Sequence, residues 1–511
     1  MANPAVNLAT SLEALKTLQD RGTTAIRTAH LSRVDRERLL KNGFIREAMK
    51  GWYIPTRPDE EPGESTAWYT SFWSFVAEYL DERFGDAWCL SPEQSLALHA
   101  GEWTVPRQLL VRTPAGGNKP VALPFGTSLL DARLALPDAR DMEVKEGLRM
   151  YVLPAALVAS SPTSFSTQPV TTRAALAGLG DPSELLRRLL DGGHSRIAGR
   201  LIGGLRNIGR DADADHILAT MRAAGFTVNE TDAFTGIPAV ATREASAPVQ
   251  RLRLLWDAMR RDVLQHFGPP PPDASRRASR KAAYLRHVDA VYVADAYNSL
   301  SIEGYRVSAG LIDRVRSGNW NPDSVKADRD QKDALAARGY WQSFQQVKTS
   351  LAKVLDGLNA GAVVSEDHGA WYRELFAPGV AAGLGRASDL AGYRNGPVFI
   401  RRSMHVPARH EAMRDLMPAL FELLTNEQEP AVRVVLGHFL FVYIHPYFDG
   451  NGRMGRFLMN VMMASGGYPW TIVPLEARAD YMAALEAASV EKNIVPFAQF
   501  LDALVRSDRL S

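Results

Sequence analysis

One stretch limits what this chain can fold into more than any other: EPAVRVVLGHFLFVYIHPYFDGNGRMGRFLMNVMMASGG, residues 429–467. Apolar residues recur at helical spacing up to His445, and Pro446 ends that helix at the residue before it. Asp449, Gly450, Asn451 and Gly452 then form a tight turn, and RMGRFLMNVMMASGG restarts the helical pattern at once. The expectation is two helices flanking a short loop, inside a region that reads as helical almost throughout from about residue 285 onward.

The residues of that loop have a shared chemistry. Amide N–H groups of the turn and of the second helix's first turn face a common space, and the helix dipole makes this an anion site. Gly450 and Gly452 let backbone approach phosphate oxygens without a Cβ in the way. Arg453 and Arg456, three residues apart, share one helix face beside the opening and offer planar donors to further phosphates. A single anionic group would not need so many donors; a polyphosphate would. Asp449 is a hard oxygen ligand of the kind Mg²⁺ uses when it binds nucleotides through one or two carboxylates plus the phosphates. His445 has an ordinary pKa suited to taking a proton from a hydroxyl. The chemistry indicated is attack by a hydroxyl on a metal-bound nucleotide phosphate.

His445-Pro446-Tyr447-Phe448-Asp449-Gly450-Asn451-Gly452-Arg453-Met454-Gly455-Arg456 resembles the signature loop of the Fic (Fido) family, which transfers AMP from ATP to protein hydroxyls. The resemblance implies that His445 deprotonates a Ser, Thr or Tyr of the target and that Asp449 holds Mg²⁺ or Mn²⁺. It implies that Asn451 and the loop amides support the α-phosphate, Arg453 the β and γ phosphates, and Arg456 the γ-phosphate. Tyr447 stands where the family usually has Phe. Gly452, rather than the Lys of relatives that phosphorylate their targets, points to the AMP-transferring branch.

Upstream, DAYNSLSIEGYRVS resembles the family's inhibitory helix, near residues 293–304, through Ser299, Glu303 and Gly304. The resemblance implies that Glu303 pairs with Arg456, occupies the γ-phosphate clamp and keeps the enzyme off at rest; such a bridge would be charge-assisted. Tyr305 follows where many relatives have Asn. AGYRNGPVFIRRSMHVP, residues 391–407, is β-rich after an Asn-Gly pair. It resembles the family's hairpin flap, which holds a target's backbone by strand addition, with Val398, Phe399, Ile400, Met404 and Val406 as its apolar members. The family likeness covers about residues 288–500.

The rest of the 511 residues needs a separate reading, since a chain of this length divides into two to four domains. Residues 1–60 combine two helical patterns with the alternating KGWYIPTRP, the layout of a winged helix-turn-helix. SRVDRERLLKNGFIREAMKGWYIP resembles the winged-helix segment at the front of AbiEi-type antitoxin regulators. Between Arg21 and Arg57 there are nine Arg or Lys against three Asp or Glu, and Arg27, Arg33, Arg36 and Arg38 are the phosphate-contact candidates if the module meets DNA rather than protein. Residues 61–266 read as an α+β domain running into helices, 267–284, with a proline run, as a linker, and 285–511 as the Fic domain.

Formal net charge is only +2, so no whole-protein field attracts nucleic acid. The single cysteine, Cys89, excludes an internal disulfide and fits a reducing compartment. With no secretory signal pattern and no apolar run of 18 residues, the expectation is a cytoplasmic protein with no membrane partner. The overall expectation is a multidomain bacterial protein adenylyltransferase, self-inhibited, using ATP and modifying a target protein or itself, in a toxin–antitoxin or self-regulatory setting. Two rivals remain open: removal of AMP by the same loop and Glu303, and a nucleotide-sensing, DNA-binding transcriptional regulator. Whether the chain forms a homodimer is also open.

Overall fold

A computed structural model describes residues 4–58, 63–234, 246–272, 281–319 and 331–507. The chain divides into two compact units, residues 1–251 with 399–406, and residues 252–398 with 407–511.

The first unit mixes helices with small sheets. Helix Pro4–Asp20 leads to strand Ile26–Arg27, then helix Arg33–Lys41 and a hairpin of Ile45–Met49 and Trp52–Pro55. The hairpin turns at Gly51, whose φ of +83° costs a residue without Cβ nothing. The three strands pair antiparallel with Trp52–Pro55 in the centre. Ser32 caps the second helix by accepting the Asp35 N–H at 3.1 Å. Leu15, Ile26, Leu31, Leu39, Ile45 and Tyr53 form a small core between these pieces.

The next helix, Thr66–Phe84, buries Trp68, Tyr69, Phe72, Trp73, Phe75 and Tyr79. Its aromatic core takes in Ala25, Ala48 and Ile54 of the first sixty residues, so the expected boundary at residue 60 runs through shared packing. A four-stranded sheet follows, with Gln108–Thr113 and Ser128–Arg133 parallel at its centre, then a separate hairpin of Met142–Lys145 and Leu148–Tyr151. Further short helices run to Ala223.

The region expected to be a β-hairpin flap is a loop. No residue from 397 to 407 is in a strand, and Phe399, Ile400, Met404 and Val406 lie in the first unit while Val398 lies in the second. The physical reason is visible within the first unit. Glu64, buried, receives Arg401 Nε at 2.7 Å and Arg402 Nε at 3.3 Å, Met404 O accepts the Val105 N–H at 2.9 Å, and Met404 and Val406 pack on the aromatic core. Although burial opposes it, hydrogen bonds from Thr66 and Arg401 bring the Glu64 carboxyl down to about 2.

The second unit is helical, with no strand among its described residues. Its boundary falls inside helix Ala247–His266, not at 267–284. Of the expected linker, residues 273–280 lie outside the described residues, whereas Phe267 is buried against Tyr468 and Gly268 O accepts the Tyr468 hydroxyl at 2.9 Å. The helices Pro430–Ile444 and Asn451–Ser465 are buried on nearly every side, which explains why their apolar pattern has no polar face.

Candidate active site

The loop is shaped by three devices. The first is the end of helix Pro430–Ile444, where His445 takes a left-handed conformation, φ 54° and ψ 61°. For a residue with a Cβ this costs about 1–2 kcal/mol, and the surroundings hold it there. Arg394, buried, donates from Nε to His445 O at 2.9 Å, and its own N–H reaches Pro446 O at 2.9 Å. The second is Asn451, whose side chain accepts the Tyr447 N–H at 2.9 Å and donates to Tyr447 O at 2.8 Å. The Asn451 side chain thus braces the loop through its carbonyl oxygen and one of its two N–H donors. The third is Tyr447, buried and stacked on Tyr372 with centroids 3.7 Å apart.

Gly450, at φ +81°, starts helix Asn451–Ser465, and a Cβ there would meet Phe376 at 2.7 Å. The first-turn amides of that helix have no intrahelical acceptors, which is the condition an anion cradle requires.

His445 Nδ1 lies 3.1 Å from Val442 O. A carbonyl only accepts, so Nδ1 carries the proton and Nε2 keeps its lone pair. Burial, aided by the Arg394 charge, pushes the imidazole down to about 4, so at neutral pH the ring is an uncharged base. Asp449 is largely exposed, binding the Gly450 N–H at 2.6 Å and Arg453 Nη2 at 3.2 Å.

Glu303 and Arg456 do meet. Arg456 Nη2 donates to Glu303 Oε1 at 2.7 Å and to Ser299 O at 3.0 Å, while Nε donates to Ser299 Oγ at 2.9 Å. One hydrogen bond from Arg456 goes to the carboxylate and two to Ser299. The sequence explains how Glu303 is presented. Helix Lys281–Ile302 ends in a paired closure in which the Tyr305 N–H reaches Leu300 O at 3.1 Å and the Gly304 N–H reaches Ser301 O at 3.0 Å. Gly304, at φ +89°, is the left-handed residue this closure requires. Glu303 is the last residue before it.

Gly452 has a second role that its place in the loop did not reveal. A Cβ there would lie 2.3 Å from Glu303 Oε1, so the glutamate's seat depends on the missing side chain.

Two buried guanidinium atoms, Arg453 Nε and Arg456 Nη1, have no hydrogen-bond partner among the described residues. An unpaired buried donor costs about 1–3 kcal/mol and more when charged, and two of them in one cradle fit the outer oxygens of a polyphosphate. No group of three His, Cys, Asp or Glu that could hold a metal occurs among the described residues. Asp449 alone therefore suits Mg²⁺ or Mn²⁺ arriving with phosphates, which contribute the other oxygens.

The observation that decides the comparison is this histidine–loop–arginine constellation on two consecutive buried helices. Residues 366–463 match the Fic/DOC family model. The loop of residues 445–456 lies inside the matched residues, and Glu303 lies upstream of them. Among curated proteins, the chain is 27% identical over 235 residues to "Protein adenylyltransferase Fic" of Drosophila grimshawi, covering 45% of this chain and 43% of that protein. The protein of the same name from Drosophila mojavensis is 26% identical over 273 residues, covering 52% and 48%. The chain spans about half the length of these curated relatives. Among solved structures, Fic-1 from C. elegans is 17% identical, with 68% of this chain and 96% of that chain covered at a TM-score of 0.35. A Fic domain-containing signalling protein from Bacteroides thetaiotaomicron is 18% identical, covering 51% and 94% at 0.34.

Sequence reasoning missed Arg394, whose only signal was its place directly before the Asn395-Gly396 pair. It also missed Asp295, buried in helix Lys281–Ile302, which accepts the Tyr340 hydroxyl at 2.6 Å and Trp470 Nε1 at 3.1 Å. Burial raises this carboxyl to about 6. Arg478 was missed as well; its Nε donates to Ile302 O at 2.8 Å and so caps helix Lys281–Ile302.

The four arginines singled out for DNA are tied into the first unit. Arg27 pairs with Glu82, Arg33 with Glu37 at 2.8 Å, and Arg36 donates to Thr28 O at 3.0 Å. Arg38 donates to Asn7 O at 2.9 Å and Ser11 Oγ at 2.8 Å. Among the described residues, no helix is long and apolar enough to cross a membrane.

Proposed function

We propose that this chain transfers AMP from ATP to Ser, Thr or Tyr hydroxyls of a protein, its own included, and that Glu303 holds it off at rest. The observation that carries this reading is the pair of buried arginines over the loop, one clamped by Glu303 and both retaining an unpartnered N–H. The curated relatives are named protein adenylyltransferases, and the residues here supply each part that reaction needs.

ATP would lie with its α-phosphate over the amides of the Gly450–Arg453 turn and its outer phosphates on Arg453 and Arg456. Neutral His445 Nε2 takes the proton of the attacking hydroxyl. The hydroxyl oxygen bonds to the α-phosphorus, the bond to the bridging oxygen breaks, and pyrophosphate leaves. A divalent ion held by Asp449 would offset charge on the phosphates. With Glu303 on Arg456, the γ-phosphate loses its contact with that arginine and the α-phosphate is displaced from the cradle. DNA binding forms no part of this reading, because all four candidate arginines have partners inside the first unit.

The test compares wild type, Glu303→Gly and Glu303→Gly/His445→Ala protein incubated with α-labelled ATP and Mg²⁺ or Mn²⁺. Faint label on wild type, strong label on the glutamate variant and none on the double variant are expected. A folded, ATP-binding Glu303→Gly protein that transfers no label to itself or to a lysate would defeat the proposal. Release of AMP from a modified protein would then become the activity to measure.

A further inference from the structure

Arg453 and Arg456 stand nearly one helical turn apart, both buried, but their neighbours use them differently. Three hydrogen bonds occupy Nε and Nη2 of Arg456. Arg453 gives one donor to Asp449, and its guanidinium carbon lies 5.1 Å from the Tyr305 ring centroid and 5.0 Å from that of Phe376. An aromatic ring attracts a cation through its π face and uses none of the cation's N–H groups. The contact fixes where the guanidinium sits, and the Tyr305 hydroxyl also takes a hydrogen bond from Arg453. Arg453 Nε remains buried and unpartnered.

Tyr305 comes from the same segment as Glu303, just beyond the Gly304 hinge. Its N–H closes the helix end on Leu300 O, so its backbone is held independently of where the Glu303 carboxylate goes. Lys332 Nζ lies 5.8 Å from the centroid of the same ring. Tyr305, Lys332, Phe376, Asp449 and Arg453 line one cavity of about 170 Å³. That cavity borders the residue expected to hold the metal and the arginine expected to hold the outer phosphates.

We propose that Tyr305 is a positioning residue for nucleotide binding. It holds Arg453 ready for the β and γ phosphates of a nucleoside triphosphate, whether or not Glu303 occupies Arg456. The segment therefore blocks one phosphate clamp and prepares the other. This rests on the AMP-transfer reading for the placement of the phosphates, and it gives a use to the Tyr that replaces the Asn of many Fic inhibitory segments.

The test uses the full chain carrying Glu303→Gly, alone and with Tyr305→Ala or Tyr305→Phe. Tyr305→Ala is expected to raise KM for ATP about tenfold with a smaller change in kcat. Tyr305→Phe, which keeps the ring, is expected to restore KM to within about twofold. Calorimetry should show the loss for ATP and not for AMP, which lacks the outer phosphates. Equal losses for ATP and AMP, an unchanged ATP affinity in Tyr305→Ala, or failure of Tyr305→Phe to restore binding would each overturn the proposal. If the Glu303→Gly parent transfers no AMP, the activity reading fails, yet the ATP-against-AMP difference still decides the role of Tyr305.

Discussion

Arginines in two regions of this molecule carry the same charge and lead to opposite expectations. Between Arg21 and Arg57 basic residues outnumber acidic ones by nine to three, yet Arg33 is 83% exposed and bonded to Glu37, while Arg38 ties two helices together through Asn7 and Ser11. In the Fic region Arg453 and Arg456 are 1% and 4% exposed, and each keeps a donor without a partner. Charge density marked the first region and unsatisfied burial marks the second. Water and nearby carboxylates satisfy a surface guanidinium at little cost, whereas a buried one with an open donor is stabilised fully only when a ligand arrives.

The sharpest break of this comparison is the loss of a buried clamp. In the Glu303→Gly background, Arg453→Ala is expected to lower kcat/KM for ATP by about 10²–10³, the scale of removing one donor from a developing charge. Arg453→Lys should recover little, because an ammonium lacks the planar fork. Activity within a few-fold of the parent in a label-transfer assay would remove the distinction between the two regions.

A smaller effect is expected at Gly452. An added Cβ would strike Glu303 Oε1 at 2.3 Å, and the glutamate, being the end of a flexible chain, yields more readily than the backbone. Gly452→Ala in otherwise wild-type protein should raise self-labelling about tenfold, equivalent to about 1.4 kcal/mol lost from the clamp. In the Glu303→Gly background it should give no such gain, and a gain of equal size in both backgrounds would separate Gly452 from inhibition.

The burial that leaves the arginines open also sets the base. Because His445 is pushed down to about 4, its neutral form persists well below the pH at which an ordinary histidine gains its proton. The kcat of Glu303→Gly should therefore stay level from about pH 8 to about pH 5.5 and fall only as the ring protonates nearer its own pKa. A profile halved near pH 6.5 would show a base exposed to water.

The smallest differences belong to the first unit. Arg38→Ala should cost about 1 kcal/mol through its lost hydrogen bonds, and Arg33→Ala less than about 0.5 kcal/mol, as read from thermal melts. Salt-dependent binding of duplex DNA that weakens with Arg33→Ala and Arg36→Ala alike would restore a nucleic-acid role to this surface.

Much of the second unit was legible because its signals are local. Pro446 and the glycines of 449–452 punctuate two helices, and Glu303 precedes a glycine, the residue that most readily closes a helix in the left-handed region. The flap was not legible. Its alternating apolar residues fit a strand, but Glu64 and Val105, more than 290 positions earlier in the chain, hold Arg401, Arg402 and Met404 as a loop. Packing across residue 60 was hidden for a related reason, since the core around the aromatic face of helix Thr66–Phe84 takes in Ala25, Ala48 and Ile54.

By itself, the sequence showed the helix–loop–helix and the donor-rich turn that carries His445, Asp449, Arg453 and Arg456, because spacing along one helix and the backbone needs of glycine and proline are short-range, whereas Glu303 came into view only through the family resemblance. Only the tertiary structure decided that Arg394 pins His445 in its strained conformation, that Asn451 braces the loop, that Gly452 makes room for Glu303 and that Tyr305 holds Arg453. Each of these depends on which groups meet after the chain has packed. Burial then sets what each contact is worth, by removing the water that would otherwise have satisfied it.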